Sequence, residues 1–346
     1  MQSRVLCLVV GMLSLLSSRL AGAQDYVWTE IVIQGTSVLQ AWQINDIGQV
    51  AIGVTTDGRS GIYFDGTFTQ LPPLEGFQVG ALGINNDGVI AGVATDPSGT
   101  RQGFILHGST YTLFSRPGWD NTEARAIADS GLITGDTFNV DGATRGFIYD
   151  PDTRMFRDAT PPGSTNTITQ GMNSFGRITG HGIDTVNGRY GFVWQQETIT
   201  KGKRELLPFL DRLKIGASGA ATRGITDSGV VVGFTSNPDG TSDSFVGSDA
   251  SGYERLVPPG GEVAGNSTFC EGINNFAQVS CEVMDSEGNI VGAFIGSPSE
   301  GGGNLDSSSH AASTWRTSPP TRQGRLDKQA ERGLVIPTTR RRHLLP

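Results

Sequence analysis

The stretch Ile84-Asn85-Asn86-Asp87-Gly88-Val89-Ile90-Ala91-Gly92 carries the plan of the whole chain. An apolar residue precedes an Asn anchor, two polar residues follow, and Gly ends the turn. A β-branched residue stands five positions after the anchor, where a half-buried strand favours it. The same pattern recurs from Ile44-Asn45 to Gly48, Ile127-Ala128 to Gly131, Met172-Asn173 to Gly176, Ile225-Thr226 to Gly229 and Ile273-Asn274 to Ala277. The residues five past the anchors are Val50, Ile90, Ile133, Ile178, Val231 and Val279. A turn followed by a strand, met six times, makes internal repetition the first fact about the fold.

A second feature fixes the register of the copies. Phe104, Phe147, Phe192 and Phe245 each lie 19 residues after their anchor, Phe294 lies 20 after, and Ile62 takes the position in the first copy at 17. Between anchor and aromatic comes a second turn, such as Asp57-Gly58, Asp141-Gly142 or Asp239-Gly240, of the kind tight hairpins need. A fourth short segment follows: Phe68 to Leu71, Tyr111 to Phe114, Met155 to Asp158, Glu205 to Leu207 and Tyr253 to Val257. The unit is therefore a four-stranded antiparallel meander, with anchors 40, 43, 45, 53 and 48 residues apart. Such units repeated around an axis describe an all-β, six-bladed β-propeller. The sixth copy stops after its third strand, while Tyr26 to Ile33 precede the first anchor as an orphan strand. Pairing that N-terminal strand with the last blade closes the ring and removes the exposed edges.

This unit resembles the HAF-repeat proteins, a family of predicted extracellular bacterial repeat proteins, over about residues 40 to 296. The family's Phe is kept, although the residues before it, such as Gln102-Gly103 and Arg145-Gly146, lack the namesake His. The resemblance implies secretion and a propeller-like β fold, and no established activity.

Composition agrees. The chain has 346 residues, 49 of them Gly, with 36% hydrophobic and 17% charged content; that is apolar enough for a core, and the Gly share signals many turns. Arg4, the apolar run Val5 to Leu16 and Ala21-Gly22-Ala23 form a secretory signal pattern over residues 1–23, too short for a membrane span. The expected domains are this signal peptide, the propeller over 24–297, and a Gly/Ser/Pro-rich disordered tail over 298–346. The body from Gln24 to Ser297 holds 30 acidic and 16 basic residues, a net charge of −14, which disfavours nucleic acid as a partner. The expected location is extracellular or periplasmic, the expected state a monomer without a membrane span, and the expected partner an extracellular protein or a glycan.

Cys270 and Cys281 are the two cysteines left after the signal, and an exported pair suits a disulfide. Pairing across the turn Asn275-Phe276 sets them opposite each other, where other copies carry small residues, close enough for a bridge. Three residues before each anchor stand Trp42, Leu82, Arg125, Gln170, Arg223 and Glu271. Their variety fits either a ligand site at the mouth of the central channel or solvent-facing positions under weak constraint. The Asp-rich second turns suit hairpin chemistry, with Ca²⁺ as the alternative; none completes a D-x-D-x-D-G loop, and no other cofactor is expected. No H-E-x-x-H, G-x-S-x-G or P-loop occurs. Lys201-Gly202-Lys203-Arg204 with Leu206 to Leu210 makes the fourth copy's connection a candidate protrusion. The chain thus reads as a secreted, non-catalytic binding or structural surface module. The alternative is a carbohydrate-binding or carbohydrate-active protein with its site at the channel mouth, for which Trp28, Trp42, Trp119 and Trp194 supply stacking surfaces and the many carboxylates leave room for a glycosidase pair.

Overall fold

In the computed structural model the anchor asparagine performs two tasks. Asn85 Oδ1 accepts the Val89 N–H at 2.9 Å, while its main chain closes the turn through Gly88 N to Asn85 O at 3.1 Å. Gly88 has φ +74°, a conformation open to glycine at no steric cost. The second task reaches outward. Asn45 Nδ2 donates to Asn85 O, Asn85 Nδ2 to Ala128 O, Asn173 Nδ2 to Thr226 O and Asn274 Nδ2 to Asn45 O. Each of these amides ties one repeat to the next, and the last ties copy six to copy one.

The described residues are 25–299 except 37–38, 55–56, 186–187, 196–197, 201–202 and 206–218. They contain strands and turns and no helix, and all fall in the compact unit Met1–Asp306. Blade 1 comprises Leu39–Ile44, Val50–Val54, Ser60–Phe64 and Thr67–Gln70; blade 2, Gln78–Ile84, Ile90–Thr95, Arg101–His107 and Thr110–Phe114. Blade 3 comprises Asn121–Ile127, Ile133–Phe138, Thr144–Asp150 and Met155–Asp158; blade 5, Ala221–Ile225, Val231–Ser236, Ser242–Ser248 and Gly252–Leu256. Blade 6 takes Ser267–Ile273, Val279–Met284 and Ile290–Pro298 from the end of the body and Tyr26–Glu30 from its beginning, with Tyr26 opposite Pro298 and Glu30 opposite Phe294. The second strand of every blade packs on the innermost strand of the next, and that of blade 6 packs on blade 1. The fold is a closed six-bladed β-propeller.

Blade 4 departs from expectation. Its described sheet has three strands, Asn166–Met172, Arg177–Asp184 and Gly188–Gln195. Of the fourth strand expected at Glu205 to Leu207 only Glu205 is described, and it lies in a separate hairpin in which Lys203–Glu205 pairs with Thr198–Thr200. The basic stretch Lys203-Arg204 belongs to that hairpin, while Leu206 to Leu210 lie outside the described residues. So do the expected signal peptide over 1–23 and residues 300–346 of the expected tail, whereas Pro298 ends a paired strand.

The repeated Phe faces a repeated gap. Phe104, Phe147, Phe192 and Phe245 stand opposite Gly92, Gly135, Gly180 and Gly233. A Cβ on Gly92 would lie 2.6 Å from the Phe104 ring, so close packing demands glycine there. In blade 1 the pair is inverted. Gly61, not Ile62, occupies the aromatic's station, and the bulk comes from its partner Ile52. That corrects the placement of Ile62: the second turn is shorter in this copy, and volume has moved across the sheet. In blade 6 Phe294 faces Cys281, which is bonded to Cys270 with Cα atoms 4.0 Å apart. The expected disulfide is present.

A bulge ring on the propeller axis as candidate ligand site

The innermost strand of each blade carries one irregularity, at the same station. Register slips between Ala41 and Ile44, Ala81 and Gly83, Ala124 and Ala126, Thr169 and Gly171, Thr222 and Ile225, and Cys270 and Gly272. A bulge leaves its extra residue unpaired and re-aims the side chain. The residues so placed are Trp42, Leu82, Arg125, Gln170, Arg223 and Glu271, the six singled out from the sequence. They are not solvent-facing: Leu82, Gln170 and Glu271 are buried, and the Arg125 and Arg223 side chains are 17% and 14% exposed.

The next residue along each strand is small: Gly83, Ala126, Gly171, Gly224 or Gly272. The strands converge so tightly that a Cβ on Gly224 would lie 2.7 Å from Ile273 N. Blade 1 is the exception, with Gln43. Its Nε2 donates to Glu271 O at 2.8 Å and reaches Gln170 O of blade 4 at 3.4 Å. This side chain crosses the axis and forms a waist. Its role escaped the sequence reading, although it is the one bulky residue among six equivalent positions.

On the turn side of the waist lies a small cavity of about 70 Å³. Its rim alternates Asp46, Asn86, Asp129, Ser174, Asp227 and Asn275. Main-chain N–H groups of Asp46, Asn86, Ser174, Asp227 and Asn275 each donate to the side chain of the next blade's rim residue. The rim is thus a hydrogen-bonded belt that holds the blades in order.

On the opposite side a wider recess of about 410 Å³ opens against blades 1 to 3, lined by Gln40, Trp42, Gln78, Leu82, Glu123 and Arg125 among others. Two of its lining residues, Glu123 and Arg125, belong to an ion network. Arg125 Nη2 pairs with Glu123 Oε2 at 2.6 Å, Arg125 Nε with Asp136 Oδ1, and Arg101 Nη1 with Glu123 Oε1. Burial pushes the Asp136 carboxyl up to about 6 although Arg125 beside it pulls the other way. Gln170, Arg223 and Glu271 do not line this recess; they lie around the ring in blades 4 to 6. There Arg223 Nη1 sits 3.3 Å from Glu271 Oε2, with its guanidinium 4.9 Å from the Phe234 ring centre. Two further residues join them that the sequence did not single out, His181 and Glu282. Burial, then the nearby Arg223, drives the His181 imidazole to its neutral form. Burial, then Glu271, pushes the Glu282 carboxyl up to about 8. Period-2 alternation on second strands marks both as inward-facing, a signal that needs the bulge to align it with the axis.

The other expected features settle elsewhere. Trp28 stacks on Tyr26, Trp119 lies beneath Arg116 and Trp194 packs against the core. In the Asp-rich turns, Asp96 Oδ1 accepts the Ser98 and Thr100 N–H groups, and Asp285 Oδ1 those of Glu287 and Asn289. Among the described residues no group of three or more His, Cys, Asp or Glu is placed to hold a metal ion.

No family model and no curated protein matches the sequence. Several solved propeller structures resemble the fold. TolB from Acinetobacter baumannii is 13% identical with a TM-score of 0.43, over 77% of this chain and 65% of TolB, so the chain spans under two thirds of that protein. A putative gluconolactonase is 11% identical with a TM-score of 0.46, over 80% of this chain and 97% of its own. YCF48 from Cyanidioschyzon merolae is 10% identical with a TM-score of 0.45, over 78% and 98%.

Proposed function

We propose that this protein is a secreted, non-catalytic binding module that holds a small polar ligand in the axial recess beside Trp42, Leu82 and Arg125. One observation carries the reading: six bulges aim six side chains of five kinds inward at one level, and beside three of them the ring opens into a recess of ligand size. A scaffold with no ligand gains nothing from buried charges, whose desolvation costs stability. The disulfide supports an oxidising compartment. A saccharide is the ligand this chemistry favours, because Trp42 offers an aromatic face while Gln40, Gln78 and Arg125 offer planar hydrogen-bonding groups around it. Trp42→Ala should abolish retention on a glycan array while leaving the thermal transition within a few degrees of wild type. Unchanged retention by that variant, or no retention by the wild type on any glycan, overturns the saccharide reading.

A further inference from the structure

Among the described residues of blades 4 to 6 six buried side-chain atoms lack a partner: Thr167 Oγ1, Arg177 Nε and Ser244 Oγ, and, in the set around Arg223, Arg223 Nε, His181 Nδ1 and Glu282 Oε2. Buried polar groups are almost always paired, so three in one neighbourhood call for an absent partner. They share surroundings: Arg223 lies near enough to influence both His181 and Glu282. Their chemistry converges too. Arg223 Nε only donates, and a Glu282 carboxyl that titrates near 8 keeps its proton at neutral pH and donates as well. A neutral imidazole donates from either nitrogen according to its tautomer.

We infer that this part of the ring interior is a carboxylate subsite: Arg223, with His181 and Glu282, receives the acid group of a sugar acid whose ring lies in the recess beside Trp42. Arg125 joins the two regions, since it lines the recess and lies close to Glu271, the ion partner of Arg223. Arg223 Nη1 lies 3.3 Å from Glu271 Oε2, while its Nε is unpartnered and open to an incoming carboxylate. The Phe234 ring beneath it fixes the plane of the fork. This inference rests on the proposed recess and narrows its ligand to an acidic saccharide.

The test uses wild-type protein, titrated calorimetrically in a carboxylate-free buffer with galacturonate, its methyl ester, galactose and acetate. Galacturonate should bind at least about tenfold more tightly than the ester or galactose, the worth of one charge-assisted hydrogen bond. Arg223→Gln, checked for an unchanged circular dichroism spectrum, should bring galacturonate down to the ester's level. Equal affinity for galacturonate, ester and galactose overturns the carboxylate subsite while leaving the recess standing. Acetate as tight as galacturonate keeps the subsite and removes the sugar ring from beside Trp42. Absence of binding by galacturonate overturns the inference, and a galactose signal abolished by Trp42→Ala would then show the recess alone to be real.

Discussion

At the scale of single residues, one side-chain type accounts for both the turn and the ring. Asn274 Oδ1 accepts the Phe276 and Gln278 N–H groups, and its Nδ2 donates to Asn45 O of the first blade at 2.9 Å. Asn274→Ala should cost about 2 to 3 kcal/mol in urea unfolding, because buried main-chain groups lose their partners. Asn274→Asp, which keeps the turn acceptor and removes the bridging donor, should cost part of that; equal loss in the two variants would place the whole effect in the bridge to Asn45. Glu282 permits a second experiment. Its carboxyl is raised to about 8 when folded, by burial first, and returns to about 4.3 when unfolded. The folded state therefore holds a proton that the unfolded state releases between these values. Stability is full below about pH 4 and declines as pH rises toward 8. Glu282→Gln should flatten that decline, with its largest gain near pH 8 and little change at pH 4, read from thermal midpoints across the range. Asp136 and Glu271, also raised by burial, add declines of the same sign that the variant leaves in place.

At the scale of strands and hairpins, the sequence was most informative where period and turn chemistry coincide. The anchors, the β-branched positions, five of the six aromatic stations and the N-terminal closing strand were all legible. The disulfide was legible for a reason only half visible. Counting across a two-residue turn matched Cys270 with Cys281, yet the turn starts the ladder one step off, at Ile273 opposite Val279. The bulge at Glu271 restores the register before the cysteines. Ile62 was misplaced because volume, not residue type, is what the blade conserves: Ile52 fills the space that Phe fills elsewhere. The inner ion network was not legible, since its members come from different strands and blades whose approach depends on those bulges. Replacing Cys270 and Cys281 by Ser should cost about 3 kcal/mol, as expected for a loop of 11 residues. Mass before and after alkylation without reductant should show no labelled thiol on this pair in the folded wild type.

At the scale of the whole molecule, closure is the property from which the rest follows. Deleting residues 25–31 strips the outer strand from blade 6 and bares the edge of Ile290–Pro298, an open template for another chain. The truncated protein should elute from size exclusion as dimers and larger species while the intact chain runs as a monomer; a monomeric truncation of unchanged thermal midpoint would show the latch to be dispensable. The latch also imposes an order on events. The first strand of the ring has as its partner the last strand of the ring, synthesised some 270 residues later. Throughout synthesis Tyr26–Glu30 must wait without its mate, shielded from earlier blades whose outer positions are filled by their own hairpins. Blades 1, 2, 3 and 5 each fill that outer position with their own fourth strand. A folding delay that lengthens when the leading strand is present, and shortens when it is supplied afterwards as a free peptide, would be the kinetic signature of this topology.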